Sequence, residues 1–419
     1  MIKKISIEHL KPGIFVHDFN SGWLHHPFLR NRIRIETDKD IEKILKYQIR
    51  ELYIDTEKGL DIDDAPTQQE VAAVIEAEMA QLQQAPAAAQ YRVPLKEEIP
   101  RAKRLISEAK KTTHRLMEDV KLGKQIDVPQ VEAVVDKMTE SVLNNNDALI
   151  SLVRIKRKDE YTYMHSLAVS ALCISFGRHL GFDAKQIKQI GIGGLLHDIG
   201  KVKVPLGILN KPGSLTEKEF ELMKKHVEYG TCTLRQTTHI DEGAICVTAH
   251  HHERLDGTGY PDGLRGDQIS SHGQIAAVVD IYDALTAERC YKGSMLPTEA
   301  LRKLFEWTDG YLNRELVEQF IAHVGIYPVG TLVRLRSGLV GVVVDHGDKG
   351  LLYPVVRVVF DRQRRSFVSP FAVDLSKKAM SGDTDEIVGC ESPGRLGINP
   401  YAYLSRGGDR SPDPGLKLL

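Results

Sequence analysis

Histidines and acids are concentrated in the middle of this chain of 419 residues. Nine of the 16 histidines fall between residues 165 and 280, namely His165, His179, His197, His226, His239, His250, His251, His252 and His272. A single histidine is more often a satisfied core or surface residue than a ligand. Imidazoles clustered with carboxylates are a donor set that binds metals, so this region is where we look for chemistry.

The segment GIGGLLHDIGK, residues 191–201, ends an apolar, helix-like run with the adjacent pair His197 and Asp198. Neighbouring side chains on a helix point about 100° apart, as two ligands beside a shared pair of metals could do. Lys201 follows His197 by four residues, which places its ammonium on the His197 side if the helix lasts that long. There it could neutralise a phosphate, or it could be an ordinary cation at a helix C-terminus.

The segment AHHHERLDGTGYPDG, residues 249–263, contains three consecutive histidines. On a continuing helix, His251 and His252 both lie over Thr248, whereas His250 points about 200° away from His252. Three adjacent histidines therefore cannot all serve one site.

The same segment then leaves the helix. Gly257, Gly259 and Pro261 force a loop, which can lay the ring of Tyr260 and exposed backbone amides beside metals. A simple surface turn is the alternative interpretation.

Composition changes along the chain and predicts its organisation. Short β-branched runs and one helix-like segment, KDIEKILKYQIREL, predict a small α+β domain over residues 1–62. The Ala/Gln-rich sequence that follows predicts a linker with helices over residues 63–130. Helical patterns dominate residues 131–325, and we expect this helical domain to hold the chemistry.

The pattern becomes β-like after Tyr327 and Pro328. Valine-rich runs separated by glycine turns predict a small, barrel-like β appendage over residues 326–378. Residues 379–419 are rich in Gly, Pro and Ser, so we expect a flexible tail. The predicted fold class is mainly α, with a small β-containing unit on each side of a helical bundle.

Whole-chain numbers limit the function classes. The 56 Lys and Arg against 57 Asp and Glu give no reason to expect DNA or an anionic membrane as the main partner. We find no signal-peptide run and no stretch near the roughly 20 apolar residues that cross a bilayer. The five cysteines lack paired spacing and suit a reducing compartment, so a cytoplasmic protein is the expectation.

Two signatures in the helical region resemble a known family. HDIGK at 197–201 and HHERLDGTGYP at 251–261 look like the signature of HD-GYP domains, the phosphodiesterase branch of the HD superfamily that hydrolyses cyclic di-GMP. His165 matches the family's leading histidine, His226 the histidine between the signatures, and Asp280 the closing aspartate. The similarity extends from about residue 150 to 325, and it implies the helical fold of an HD domain.

The resemblance implies a metal centre with seven ligands. Five imidazoles and two carboxylates, without a thiolate, suit Fe or Mn, tolerate Zn or Ni, and are typical of a two-metal hydrolytic site. We expect Asp198 to bridge the two ions. The family assigns the first ion to His165, His197, Asp280 and Asp198. It assigns the second ion to His226, His251, His252 and Asp198.

The implied reaction is hydrolysis of cyclic di-GMP to linear pGpG, with a further cut to GMP left open. Two cations lower the pKa of a water between them, and the bridging hydroxide would attack phosphorus in line with the departing ribose oxygen. Lys201 would stabilise charge on the phosphoryl oxygens and so contribute mainly to kcat. The alternative hypothesis is a catalytically weak, metal-bearing receptor that binds cyclic di-GMP and signals through a protein partner. A preference for a mixed cyclic GMP-AMP dinucleotide would use the same chemistry.

Substrate contacts are implied at three further positions. Arg289 and Lys292 match family positions that contact the dinucleotide phosphates, although they could be two solvated charges at a helix end. Tyr260 in the GYP loop could contact guanine. The residue four before His165 is Tyr161, where some relatives have a glutamate that helps hold a third metal, so we expect two metals and not three.

The first 130 residues or so carry a different likeness. LKPGIFVHDFNSGWLHHPF, residues 10–28, resembles part of the N-terminal domain of unknown function that precedes some HD-GYP domains. A sensory or dimerising role for this domain, with a homodimer as one outcome, is an expectation from architecture and not from chemistry.

Overall fold

A computed structural model describes residues 1–20, 32–47, 49–83, 91–154, 161–287, 295–347, 350–377 and 385–404. A helical centre is preceded by one small sheet and followed by another. No helix within these described stretches combines the length and the apolar content needed to cross a lipid bilayer.

The N-terminal unit is an antiparallel sheet with one helix. Its elements are β1 (Ile2–Ser6), β2 (Phe15–Asp18), β3 (Ile33–Arg34), α1 (Asp38–Leu45) and β4 (Glu51–Asp55), and the strand order is β1-β4-β2-β3. Its own small core includes Ile14, Val16, Ile35, Leu52 and Ile54. The predicted α+β unit is confirmed.

The first part of the Ala/Gln-rich segment forms the helix α2 (Gln68–Leu82), and residues 84–90 of the predicted linker lie outside the described residues. At its start the Thr67 hydroxyl accepts the Glu70 N–H, and the Glu70 carboxylate accepts the Thr67 N–H, which satisfies two backbone donors at the helix end. Ile75 and Met79 on its buried face pack with the last helices of the helical centre. The helix therefore joins the N-terminal unit to that centre.

The helical centre contains α3 (Leu95–Lys121), α4 (Val128–Val153), α5 (Tyr161–His179), α6 (Ala184–Leu196), α7 (Leu206–Leu209), α8 (Glu217–Arg235), α9 (Glu242–His250), α10 (Ser271–Thr286), α11 (Pro297–Glu306) and α12 (Arg314–Val324). A 3-10 helix, Ile199–Lys203, follows α6, and another, Gly266–Gln268, precedes α10. Buried Val131, Val135 and Met138 recur at helical spacing on α4 and form part of the main core.

Glycines let α6 lie deep among its neighbours. A Cβ on Gly193 would lie 2.5 Å from the Cβ of Val247 on α9. A Cβ on Gly191 would lie 2.8 Å from the side chains of Ile174 on α5 and Val135 on α4. Such separations are too short for any side chain, so these glycines allow three helices to approach α6 closely. The end of α6 is thereby placed at the middle of the bundle.

The C-terminal unit is a five-stranded antiparallel sheet. It consists of β5 (Leu332–Leu335), β6 (Leu339–Gly347), β7 (Gly350–Asp361), β8 (Ser366–Asp374) and β9 (Ile387–Cys390), in the order β8-β7-β6-β5-β9. The small β appendage is confirmed, and with it the mainly α fold class. The barrel-like closure is wrong for the described strands, because β8 and β9 remain the two edges of the sheet.

Part of the segment that we expected to be a flexible tail is ordered. β9 pairs with β5, with Val333 opposite Cys390 and Arg334 opposite Gly389. The helix α13 (Pro393–Leu396) and a 3-10 helix, Pro400–Tyr403, follow. The edge of β5 offers unpaired backbone groups, and pairing with them outweighs the turn-rich composition of this segment.

Candidate metal centre

The structure brings the seven predicted ligands together from five helical regions. His165 lies on α5, His197 and Asp198 follow α6, His226 lies on α8, His251 and His252 follow α9, and Asp280 lies on α10. All seven side chains are buried, with at most 5% of each residue exposed. Because charged and polar groups are buried only when they are paired or bound, this concentration indicates a site.

The ligand atoms form two main groups, and a third set, His197, Asp198 and His251, connects them. In the first group, the Nε2 atom of His165 lies 2.9 Å from Oδ1 of Asp280, and the Nε2 atom of His197 lies 3.7 Å from the same oxygen. The second group contains His226, His251 and His252, whose ligand atoms all lie within 4.8 Å of one another. Each group has the size of the first coordination shell of one ion.

Asp198 lies between the two groups. Its Oδ2 atom is 3.3 Å from Nε2 of His197 and 3.6 Å from Nε2 of His165. Its Oδ1 atom is 3.4 Å from Nε2 of His226, in the other group. The two oxygens of one carboxylate therefore face two different histidine groups, as a ligand shared by two cations would.

Hydrogen bonds fix the ring orientation of three of these histidines. The Nδ1 atoms of His197, His226 and His251 lie 2.8–2.9 Å from the carbonyl oxygens of Gly194, Met223 and Thr248. A carbonyl oxygen only accepts, so each Nδ1 carries a hydrogen, and Nε2 is the nitrogen left to bind a metal. Metal-binding histidines are oriented in this way by the nitrogen that does not bind the metal.

The buried polar atoms fit a metal. Nε2 of His197, His226 and His251 and Oδ1 of Asp198 have no hydrogen-bond partner, although they are fully buried. Buried acceptors without partners are rare in folded proteins because they lose the hydrogen bonds that water would give. Four such atoms pointing into one centre fit a site that could hold cations.

Electrostatics favours the protonation states that bind metals. Burial lowers the pKa of His226 to about 4 and that of His251 to about 3, so both rings are neutral at pH 7. Burial alone would raise the pKa of Asp198, but the charges of His197 and Lys201 hold it well below its usual value. The centre therefore presents neutral imidazoles at His226 and His251 and an ionised carboxylate at Asp198.

Lys201 is at the edge of the centre, but not through the helix spacing that we considered. α6 ends at Leu196, and the 3-10 helix that follows places Lys201 beside Asp198, with its Nζ atom 2.5 Å from Oδ2. The ammonium compensates the charge of Asp198, and 21% of the lysine side chain stays exposed.

The GYP loop packs directly on the second histidine group. The ring of Tyr260 stacks on His252, with ring centroids 4.7 Å apart, and the tyrosine is buried. The Glu253 carboxylate accepts the N–H groups of Asp262, Gly263 and Leu264, which closes the loop on itself. A contact between Tyr260 and guanine remains a prediction.

The third histidine of the triplet faces elsewhere. Nδ1 of His250 lies 3.1 Å from the hydroxyl oxygen of Ser270, outside both ligand groups. Arg289 and Lys292, the predicted phosphate contacts, lie outside the described residues. Tyr161, the position at which some relatives have a glutamate for a third metal, is the first residue of α5. The choice between two metals and three also stays a prediction.

Comparisons with known proteins agree with this architecture. One family model, a domain of unknown function (DUF3391), matches residues 2–131, and a second, the HD domain, matches residues 137–316. A Pseudomonas aeruginosa protein named cyclic di-GMP phosphodiesterase PA4108 is 41% identical over 392 residues, which cover 93% of this chain and 92% of that protein. This chain belongs to the HD-GYP family.

The HD-GYP protein also matches relatives over shorter regions. A Thermotoga maritima protein named cyclic di-GMP phosphodiesterase is 36% identical over 39% of this chain and 45% of its own length. A Vibrio cholerae protein named 3'3'-cGAMP-specific phosphodiesterase 1 is 38% identical over 35% of this chain and 34% of its own length. The HD domain implies divalent metal binding, and the His/Asp groups of this HD-GYP protein could hold the ions.

Sequence reasoning missed one carboxylate in the HD-GYP protein. Nδ1 of His165 lies 2.6 Å from Oδ2 of Asp283, which is buried on α10. Asp283 thus takes the orienting role that backbone carbonyls play for His197, His226 and His251. The available signal was its position three residues after Asp280, which places both aspartates on one side of a helix.

Proposed function

We propose that this protein hydrolyses cyclic di-GMP to linear pGpG at a centre of two divalent metal ions. The position of Asp198 carries the proposal, because its two oxygens face two separate histidine groups at 3.3–3.6 Å. A pair of ions clamped by a shared ligand is an arrangement that suits hydrolysis of phosphodiesters. The substrate is inferred from the relative named cyclic di-GMP phosphodiesterase that aligns over 93% of this chain.

We assign the ions to the two ligand groups with Asp198 shared. Nitrogen and oxygen donors without a thiolate support Fe or Mn and tolerate Zn or Ni. When bound, such ions lower the pKa of a water molecule and neutralise charge on a phosphoryl group. Tight burial of the ligands supports this role, because electrostatic interactions are stronger where water is excluded.

The chain's own residues then have distinct tasks. Asp283 orients His165, and the carbonyl oxygens of Gly194, Met223 and Thr248 orient three other histidines. Lys201 donates to Asp198 and is partly exposed, so its ammonium can also face a phosphoryl oxygen. Arg289, Lys292 and Tyr260 complete the proposal as substrate contacts.

A cytoplasmic location is part of the proposal. Cys173, Cys232, Cys246 and Cys390 are free thiols in the described residues, which supports a reducing compartment.

Product analysis tests the proposal. Full-length protein purified anaerobically is supplied with Mn²⁺ or Fe²⁺ and given cyclic di-GMP, and chromatography follows pGpG and GMP. We expect pGpG with metal, little with a chelator, and none from Asp198→Asn, together with two ions per chain by elemental analysis.

The same experiment separates the alternatives. Tight binding of cyclic di-GMP by the metal-loaded protein without any linear product would establish the receptor function and end the phosphodiesterase proposal. Parallel reactions with the mixed cyclic GMP-AMP dinucleotide determine the base preference. The Vibrio cholerae relative named 3'3'-cGAMP-specific phosphodiesterase 1 is the reason to include this substrate.

A further inference from the structure

The N-terminal unit contacts the loop that carries two of the metal ligands. Arg50 directly precedes β4, and its Nη2 atom lies 3.2 Å from Oδ2 of Asp256. Asp256 follows His252 by four residues. An ion pair thus joins a domain without a recognised site to the HHERLDGTGYP loop.

Because Asp256 is buried, the loss of this ion pair would be more destabilising than the loss of an exposed pair. The Asp256 side chain is 4% exposed, and Oδ2 has no hydrogen-bond partner among the described residues. Arg50 is its direct ion-pair partner, and the buried guanidinium of Arg254 adds a second, more distant positive charge. The other oxygen, Oδ1, accepts the N–H of Thr258. A buried carboxylate that loses its cation is strongly destabilised, unlike one at an exposed ion pair.

Contacts within the loop connect Asp256 to the proposed ligand His252. It pairs with Arg265 across the base of the loop in an isolated β-bridge. The carbonyl oxygen of His252 accepts the N–H of Tyr260, whose ring stacks on His252. A displacement of Asp256 therefore reaches His252 through a short, hydrogen-bonded loop.

The N-terminal unit also contacts residues that pack behind the HHERLDGTGYP loop. The indole N–H of Trp307 donates to the carbonyl oxygen of Asn20, and the carbonyl oxygen of Tyr311 accepts the N–H of Leu255. Gly310 has a φ of +106°, a conformation that favours glycine, and a Cβ there would lie 2.5 Å from Nη1 of Arg50. Trp307 and Tyr311 line one cavity with His251 and His252.

We propose that Arg50 is a positioning residue for the metal centre. Its ion pair with Asp256 holds the loop in the geometry in which His251 and His252 bind an ion, so metal occupancy depends on how the N-terminal unit is docked. The inference rests on the proposed function of these histidines as ligands. It gives the N-terminal unit a physical route by which an event within it changes activity.

Metal titration of the metal-free, full-length protein tests this role. Calorimetry with Mn²⁺ on the wild type and on Arg50→Gln measures both binding steps in one sample. We expect one step to weaken about 10-fold, as typical for the loss of a residue that orients a ligand, and the other step to stay unchanged. Equal affinities in the two proteins, or an equal weakening of both steps, would overturn the proposal.

Lys58→Gln is the matched control. Lys58 pairs with Asp55 in the same unit at 2.6 Å, with side-chain exposures of 54% and 6%, against 56% and 4% for Arg50 and Asp256. Among the residues that the structure describes, this pair makes no hydrogen bond or ion pair with the HHERLDGTGYP loop. We expect Lys58→Gln to leave both binding steps unchanged, and a shift equal to that of Arg50→Gln would show a general loss of stability.

Rescue separates positioning from simple destabilisation. Asp256→Asn removes the buried charge but keeps an oxygen for the Thr258 N–H, so adding it to Arg50→Gln should recover part of the lost affinity. Strictly additive losses would contradict the coupling. The titration needs no substrate, so wild-type protein that binds two ions but cleaves no cyclic di-GMP would refute the proposed function and leave this inference intact.

Discussion

His250 and His251 are neighbours in sequence with opposite surroundings. His250 is half-buried and contacts Ser270, whereas Nε2 of His251 is fully buried without a partner beside Asp198 and His226. A helix end separates their side chains by roughly 100°, so only one of the two enters the centre. Residue type alone therefore does not identify a ligand here.

Substitution distinguishes the two histidines. His251→Gln should lose one of the two ions, because a buried ligand nitrogen is removed from the second group. His250→Gln should retain both, since its ring points to Ser270. Elemental analysis of the two variants checks this. Equal metal content in both would contradict the ligand assignment.

Lys201 is the second prediction at the residue scale. Lys201→Met should reduce kcat about 100-fold with a much smaller change in KM, because charge stabilisation counts most in the transition state. Steady-state kinetics at saturating Mn²⁺ measures both constants. A change confined to KM would instead assign Lys201 to substrate binding in the ground state. A loss of bound metal would assign it to support of Asp198.

At the scale of elements, close helix contacts decide whether the ligands meet. The 3-10 helix after α6 runs against α8 so closely that a Cβ on Gly200 would overlap the carbonyl oxygen of His226. Gly200 lies between Asp198 and Lys201, and His226 is itself a proposed ligand. The glycine therefore sets the distance between the two halves of the centre.

Gly200→Ala tests this spacing. We expect about 1–3 kcal/mol of destabilisation from overpacking, with weaker metal binding, because the backbone segments must move apart. Gly207→Ala is the control, since a Cβ at that position on the short helix α7 meets nothing within 4 Å. Denaturant unfolding of the metal-free proteins compares the two. Equal stabilities would show that the contact relaxes without cost.

At the scale of the whole molecule, the helical centre is held from both ends. Arg50 and Asn20 connect the N-terminal unit to the HHERLDGTGYP loop and to Trp307, which directly follows α11. On the other side, His346 on β6 lies 3.0 Å from Asp147 on α4, which also accepts the Tyr91 hydroxyl. Buried histidines throughout this assembly link its stability to pH.

Acid should destabilise the metal-free protein. Burial lowers the pKa of His226 to about 4, and those of His251 and His323 to about 3, below the unfolded value of 6.5. Between pH 6.5 and about 4 the unfolded chain binds more protons than the folded chain. The free energy of unfolding therefore decreases by about 1.4 kcal/mol for each histidine with every unit decrease in pH.

Three charged groups of the centre add no pH dependence in this window. Asp198 and Asp280 have pKa values well below 3.8, so their contribution is lost only at lower pH. The raised pKa of His197 gives stability that is fully present below pH 6.5. Thermal unfolding of metal-stripped protein at pH 6.5 and pH 5 measures the effect. A flat melting temperature over this range would contradict it.

The sequence by itself determined the fold class and a candidate set of ligands. The periodicity of helices and strands is local, so it predicted the helical centre and the sheet on each side. HDIGK and HHERLDGTGYP are also local patterns, and they located the two parts of the chain that meet at the centre. The bend after Leu196 and the pairing of β9 with β5 were not visible in such patterns.

Only the tertiary structure decided which atoms face one another. Asp283 orients His165 across 118 residues of sequence, and Arg50 reaches Asp256 from a different domain. The division of the Asp198 oxygens between two histidine groups likewise depends on how α5, α6 and α8 pack. Helix and strand patterns arise from neighbours along the chain, whereas these contacts arise from burial and close packing between distant segments, which no local pattern records.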